Sequence, residues 1–306
     1  MAIEVAAAVG RDGWVTVSDL LTRVSRRTIS TWVADGRLVR LRPGILALPT
    51  VASGWRARVA AALDGREAVA SHVTALALWE LIEHPPGPVH ATVDLTRSAA
   101  GSPGVVLHRS AGVFGERRRV GSLSVTSVER SIVDTWARPA PLRRADVRGA
   151  AITAVQRRLC RPQDLAFEVG RRPRMAGRAE LVRLVDLLAD GCRSELEIWG
   201  CLQVLRGPGM PAFVQQRRVS VAGQTFFLDA AYDEVLLAVE MDGAAWHGSR
   251  QQRERDIRRD ALLATIGWQT LRFSYARMTA SPDGCRREIR TVHAARSRLF
   301  HETGVR

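Results

Sequence analysis

The order of patterns between residues 190 and 300 constrains this fold more than any other feature. A helix opens at an S-x-x-E box, SELEIWGCLQVLRG, with Ser194 as its cap. Two strand-like runs follow, FVQQRRVSV and QTFFLDAAY, which turn back on each other across Ala222-Gly223. A buried strand, VLLAVEMDG, comes next. A polar helix, SRQQRERDIRRDALLATI, is stopped by Gly267 and leads to the strand WQTLRFS and a last helix near 283–300. Helix, three strands, helix, strand, helix reads as an α/β domain around a mixed central sheet.

Three acids stand at strand ends in that order: Asp229, Glu240 and Asp242. Glu240 and Asp242 are two apart on one strand and therefore point to one face, and Asp229, at the end of the adjoining hairpin strand, converges on the same point. Carboxylates so gathered repel one another unless a divalent cation sits among them. Mg²⁺ or Mn²⁺ takes such hard oxygens together with waters and activates water against a phosphodiester. Acids two apart at a strand end are common by chance, so the pattern needs its context. Trp246-His247-Gly248 follows directly, and His247, with an ordinary pKa near ~6.5, suits a general base. The helix-borne Glu195 is either a further acid of this group or a residue serving the helix N-terminus; Glu197 is read as a capping residue alone. Asp256 and Asp260, set among Arg253, Arg255 and Arg259, read as a salt-bridged helix face.

The first fifty residues form a separate pattern. Apolar residues around Val5 and Val9 give a helix broken at Gly10–Gly13, Ser18 caps a second over Leu20, Leu21 and Val24, and Ser25 caps a third. In that third helix Ile29, Trp32 and Val33 share one face, and Gly36 ends it; an Arg-Pro-Gly turn then joins two short strands. Three helices and a hairpin in this order make a winged helix-turn-helix. The polar side of its third helix carries Arg26, Arg27, Thr28, Ser30 and Thr31, residues that suit base edges, and the hairpin carries Arg37, Arg40 and Arg42 to meet phosphates. A solvated basic helix in a protein-interaction module is the competing reading.

Composition agrees with a polyanionic partner. The chain has 306 residues, 45 cationic side chains and no lysine, so every cation is an arginine; the formal net charge is +14. Arginine forks suit phosphate and guanine, although a GC-rich genome yields the same preference over lysine. Residues 1–189 carry 28 arginines against 17 acids, and 190–306 carry 17 against 14, so the basic excess lies in the first two-thirds. Residues 55–189 read as an α+β middle domain, with arginine clusters at 117–119, 157–161 and 171–178 that either track a DNA backbone or are solvated faces. The whole is an α+β and α/β multidomain chain: 1–50 winged helix-turn-helix, 55–189 α+β, 190–306 α/β. No apolar run reaches a membrane span, and the start lacks a signal-peptide pattern, so a cytoplasmic protein without a membrane partner is expected. Cys160, Cys192, Cys201 and Cys285 have no C-x-x-C spacing, which argues against zinc and disulfides.

The stretches SELEIWGCL, LDAAY, VEMDGAAWHG and RRDALLATIGWQTLRF resemble the very-short-patch-repair endonuclease-like branch of the PD-(D/E)XK nuclease superfamily, over nearly all of 190–280. The resemblance implies a restriction-endonuclease-like fold and Mg²⁺- or Mn²⁺-dependent DNA hydrolysis in defence or repair. It makes Asp229 the metal-binding aspartate, Glu240 the second acidic ligand, Glu195 the helix-borne glutamate and His247 the water-activating histidine; Trp246, Arg253 and Arg259 are candidate DNA contacts. Asp242 departs from it by standing where the superfamily has a lysine, with Arg253 or Arg259 as candidate substitutes. The N-terminal stretches RDGWVTVSDLLTRVSRRTISTWVADGRLVRLRPGILALP, SHVTALALWEL and SVTSVERSIVDTWA are similar to the AbiEi-like type IV antitoxins. That resemblance implies double-stranded DNA and a cognate toxin protein as partners of a non-enzymatic autoregulator.

Overall fold

Apolar residues at helical spacing build the first elements. In Arg26–Ala34 (α3), Ile29 and Trp32 are buried against Leu20, Leu38 and Leu46, while Val5–Val9 (α1) and Val17–Leu21 (α2) close the same core. The strands Trp14–Thr16 (β1), Val39–Arg42 (β2) and Ile45–Ala47 (β3) form an antiparallel sheet of order β1-β3-β2 beside them. Ser25 caps α3 as expected, accepting the Thr28 N–H at 3.1 Å. The cap of α2 is Thr16 rather than Ser18: its hydroxyl accepts the Asp19 N–H at 3.0 Å, and Ser18 lies inside the helix. These coordinates are a computed structural model that describes residues 4–83, 87–96, 103–192, 194–242 and 250–302. The chain divides into two units, residues 1–181 and 182–306.

The rest of the first unit is a five-stranded sheet of order β6-β5-β4-β8-β7, from Ala68–Ala70 (β4), Val89–Val93 (β5), Val105–Arg109 (β6), Arg117–Val120 (β7) and Leu123–Thr126 (β8). Its helices are Pro49–Ala52 (α4), Trp55–Leu63 (α5), His72–Leu78 (α6), Val128–Ala137 (α7), Arg144–Gln156 (α8) and Pro162–Gly170 (α9). Ser127 caps α7, and the neighbouring Thr126 hydroxyl lies buried 2.8 Å from that of Ser131. From the first turn of α7 the buried Arg130 reaches Asp134 at 2.8 Å, Glu116 at 3.2 Å and Glu168 at 3.7 Å.

His72, His90 and His108 meet in the same unit. The rings of His72 and His108 stack at 3.6 Å, and His90 Nδ1 lies 3.1 Å from His108 Nε2. Burial lowers all three pKa values, that of His108 to about 4, with mutual repulsion and the Arg138 guanidinium adding to the effect on His72 and His108. An unfolded imidazole takes up its proton near pH 6.5. Below that pH the unfolded chain holds more protons, so stability from the neutral cluster is present above pH 6.5 and is lost as pH falls toward 4. The expected loss is about 2 kcal/mol for the half-buried His108, discounted for solvent screening. Denaturant titrations at pH 6.5 and 4.5 measure it; a His108→Phe variant with the same pH dependence as wild type would remove the cluster as its source.

Arg178–Ala189 (α10) crosses the boundary between the units, and in the second unit it leads to Glu195–Gly200 (α11), which continues as a π-helical turn over Cys201–Leu205. The sheet order is β12-β11-β10-β9, from Val214–Val221 (β9), Gln224–Tyr232 (β10), Leu237–Asp242 (β11) and Gln269–Ser274 (β12). The first three strands are antiparallel neighbours, and β12 joins β11 in parallel after the crossover helix Arg250–Thr265 (α12), so the sheet is mixed as predicted. Ala222 and Gly223 both have positive φ, +50° and +73°, which gives the β9–β10 hairpin its tight turn. A short helix that the sequence reading missed, Tyr275–Ala280 (α13), precedes the long last helix Pro282–Glu302 (α14). Gly200 lets α11 approach β11: a Cβ there would stand 2.3 Å from Met241 Sδ. Among the described residues no helix is long and apolar enough to cross a membrane.

Candidate active site

The β10–β11 register brings Asp229 and Glu240 together. One step beyond the pair Ala230 and Val239 they stand opposite each other, so both side chains leave the same face of the sheet. Asp229 Oδ2 accepts the Met241 N–H at 2.9 Å, which fixes the carboxylate against the neighbouring strand. Glu240 is buried, only 4% exposed, and its Oε1 accepts from Arg259 Nη2 at 2.7 Å. Arg259, on α12, also donates to the Phe227 carbonyl at 2.8 Å. It is therefore anchored over the two central strands rather than turned to solvent. The predicted salt-bridged helix face is corrected accordingly: Asp260 binds Arg272 of β12 through two bonds of 2.9 and 3.0 Å. Arg272 is in register with Glu240, which places a second guanidinium on the same face.

Glu197 proves to be more than a capping residue. Its backbone N–H is capped by Ser194 Oγ at 3.1 Å, as the S-x-x-E box predicts. Its carboxylate, however, accepts from Gln216 Nε2 at 3.4 Å, and the same nitrogen donates to Asp229 Oδ1 at 3.2 Å. The sequence does not single Gln216 out, because a glutamine in a β-strand looks like any solvated residue. The other predicted site residues divide in two. Trp246 and His247 lie outside the described residues. Glu195, at the first position of α11, Asp242, at the end of β11, and Arg253, in the first turn of α12, are described by backbone alone.

The donor set suits a small divalent cation. Asp229 and Glu240 offer hard carboxylate oxygens from adjacent strands, and Mg²⁺ characteristically takes one or two carboxylates and completes its shell with water. Among the described residues no group of three or more His, Cys, Asp or Glu side chains could hold a metal ion.

At the N-terminus Arg26, Arg27, Ser30 and Thr31 line the exposed side of α3, with Thr28 half-buried among them. The Ser30 and Thr31 hydroxyls donate to the carbonyls of Arg26 and Arg27, each at 3.1 Å. The three hairpin arginines differ. Arg40 is exposed, Arg37 lies over the Trp32 ring at 5.7 Å, and Arg42 turns inward to donate to the Ala61 carbonyl at 2.7 Å. Arg42 thus has a structural task.

Residues 213–292 match the restriction-endonuclease-like family REase_MTES_1575, which makes the C-terminal domain restriction-endonuclease-like. The match takes in β9 to β12 and both acids, and it does not extend to the N-terminal region. No curated protein matches the chain. A solved structure, the RV2827C protein from Mycobacterium tuberculosis, aligns with 58% of this chain and 71% of its own length at 16% identity, with a TM-score of 0.37. That likeness is too low to bear on the fold.

Proposed function

We propose that the protein is a divalent-metal-dependent DNA endonuclease, acting in defence or repair, in which residues 190–306 hydrolyse phosphodiesters and the N-terminal helices and wing engage double-stranded DNA. One observation carries the reading: Asp229 and Glu240 meet on neighbouring strands of a restriction-endonuclease-like domain. These two, with Asp242, would hold Mg²⁺ or Mn²⁺, which when bound supplies Lewis-acid stabilisation of phosphate charge and a more acidic water. The Met241 N–H orients Asp229 for that task, and Arg259 neutralises Glu240 while placing a cation beside the acids. This is the substitute for the missing lysine that the sequence offered as Arg253 or Arg259. His247 is the candidate base for the water proton, Glu195 the candidate helix-borne acid, and Trp246 and Arg253 the candidate DNA contacts. Supercoiled plasmid incubated with the protein and Mg²⁺ or Mn²⁺ should be nicked, and a chelator should stop it. Intact plasmid with both metals would sink the reading.

A second reading draws on the same ion pair. Glu240 is already neutralised by Arg259, and an acid, Asp242, takes the lysine's place. In that reading the nuclease-like domain is a binding scaffold in a type IV antitoxin or transcriptional autoregulator, and a cognate toxin is its partner.

Both readings share DNA binding through the N-terminal unit, and the side-chain positions sharpen the test. Affinity should fall with salt at a log–log slope of roughly −0.9 per phosphate neutralised. Replacing Arg26, Arg27 and Arg40 together by alanine is expected to flatten that slope by about two to three. An unchanged slope would remove this surface from the interface. Arg42→Ala should leave the slope alone and lower stability instead, since it strands the Ala61 carbonyl.

A further inference from the structure

We infer that Gln216 is a positioning residue of the nuclease site: its side-chain amide clamps the carboxylates of Asp229 and Glu197 into the arrangement that receives the cation. The inference rests on the nuclease reading for its purpose, but its geometry stands independently. The Gln216 Nε2 donates to Asp229 Oδ1 at 3.2 Å and to Glu197 Oε2 at 3.4 Å, so one neutral donor spans two acids from different elements. With a carboxylate on either side, the amide must present its NH₂ rather than its oxygen.

The backbone gives up regular geometry to achieve this. Gln216, the third residue of β9, has φ +48° within an extended strand, a left-handed conformation that costs a non-glycine residue about 1–2 kcal/mol. Strain of this kind persists only where the surroundings hold it, and it gathers at functional sites. Here Gly191 makes room for the side chain. Its φ is +105°, and a Cβ on it would stand 2.9 Å from Gln216 Cγ and 3.2 Å from its Cβ. A strained donor, a glycine beside its stem and two acids at its tip together place one amide. Asp229 is thereby held from both sides, by Gln216 at Oδ1 and by the Met241 N–H at Oδ2. A carboxylate fixed in this way binds a cation without first losing its own rotamer freedom, and removing such outer partners typically costs 10–100-fold in metal affinity.

The test uses the full-length protein and Mn²⁺ as probe. In metal-free protein the Gln216 side-chain amide, assigned by its loss in Gln216→Met, should be shifted from free glutamine and protected from solvent exchange. Mn²⁺ should bleach it at substoichiometric concentration. By calorimetry Gln216→Met, which keeps length and removes the donor, should bind Mn²⁺ about tenfold more weakly. Gly191→Ala, which displaces the stem and keeps the amide, should do likewise, with circular dichroism confirming that both variants are folded. Unweakened Mn²⁺ binding by folded Gln216→Met would overturn the inference, as would a freely exchanging amide in wild type. A held amide that Mn²⁺ neither bleaches nor accompanies with heat would sustain the clamp and overturn the nuclease reading instead.

Discussion

Replacing Asp229 by asparagine is expected to lower metal-dependent nicking by at least roughly a thousandfold, or about 4 kcal/mol of transition-state stabilisation. The asparagine oxygen can still accept the Met241 N–H, so that strand contact survives, while its NH₂ then faces the Gln216 amide and that bond is lost together with the negative charge that draws the cation. The alanine variant loses the same activity and leaves the Met241 N–H and the Gln216 amide without this acceptor, at a further stability cost of about 1–3 kcal/mol. The comparison therefore separates the loss of charge from the loss of the Met241 strand contact. Plasmid nicking in Mn²⁺ reports the first and denaturant unfolding the second. An asparagine variant that nicks at the wild-type rate would place the chemistry elsewhere.

Arg130→Met is expected to be the most destabilising single change in the first unit, by about 3–5 kcal/mol. Arg130 is the buried cation common to Asp134, Glu116 and Glu168, and its Nη2 also donates to Ser110 Oγ at 2.6 Å. Burial already pushes the Glu168 carboxyl pKa upward and that of Arg172 downward, so the network tolerates little further loss of compensation. Arg172 at 2.9 Å and Arg171 at 3.3 Å remain on Glu168 in the variant, but Glu116 and Asp134 each lose a partner. Adding Glu168→Gln should recover part of the loss by removing one buried charge. Chemical denaturation of the single and double variants measures both; a cost below 1 kcal/mol for Arg130→Met would show that the remaining arginines carry the network.

The pairing of Asp229 with Glu240 was legible because it needs only two rules. Strand residues alternate between faces, and the strands on either side of a short connection pair in antiparallel fashion. The mixed sheet followed from the same order of elements. Gln216 was hidden for the opposite reason: its positive φ breaks the alternation from which a strand residue's direction is read. Arg259 was visible as a cation on a helix, yet its choice of Glu240 over the acids of its own helix depends on how α12 lies over the sheet, which periodicity does not encode. The slipped cap at Thr16 arises where two hydroxyl residues, Thr16 and Ser18, compete within two residues of the same helix start. Helix α13 is six residues long, too short for a periodic signal.

The left-handed residue in β9 also bears on self-association. With sheet order β12-β11-β10-β9, β9 is an edge strand, and a long flat edge offers its unpaired backbone groups to the edge of another molecule. The left-handed φ at Gln216 departs from the flat extended geometry such a template needs near the start of the strand, and the exposed Arg218 adds a charge beyond it, next to an Arg217 paired with Asp233. The conformation that seats an amide against two acids thus also acts as a gatekeeper against strand-to-strand aggregation. A residue of high β-propensity at position 216 would straighten the edge, trading a site for a sticky surface.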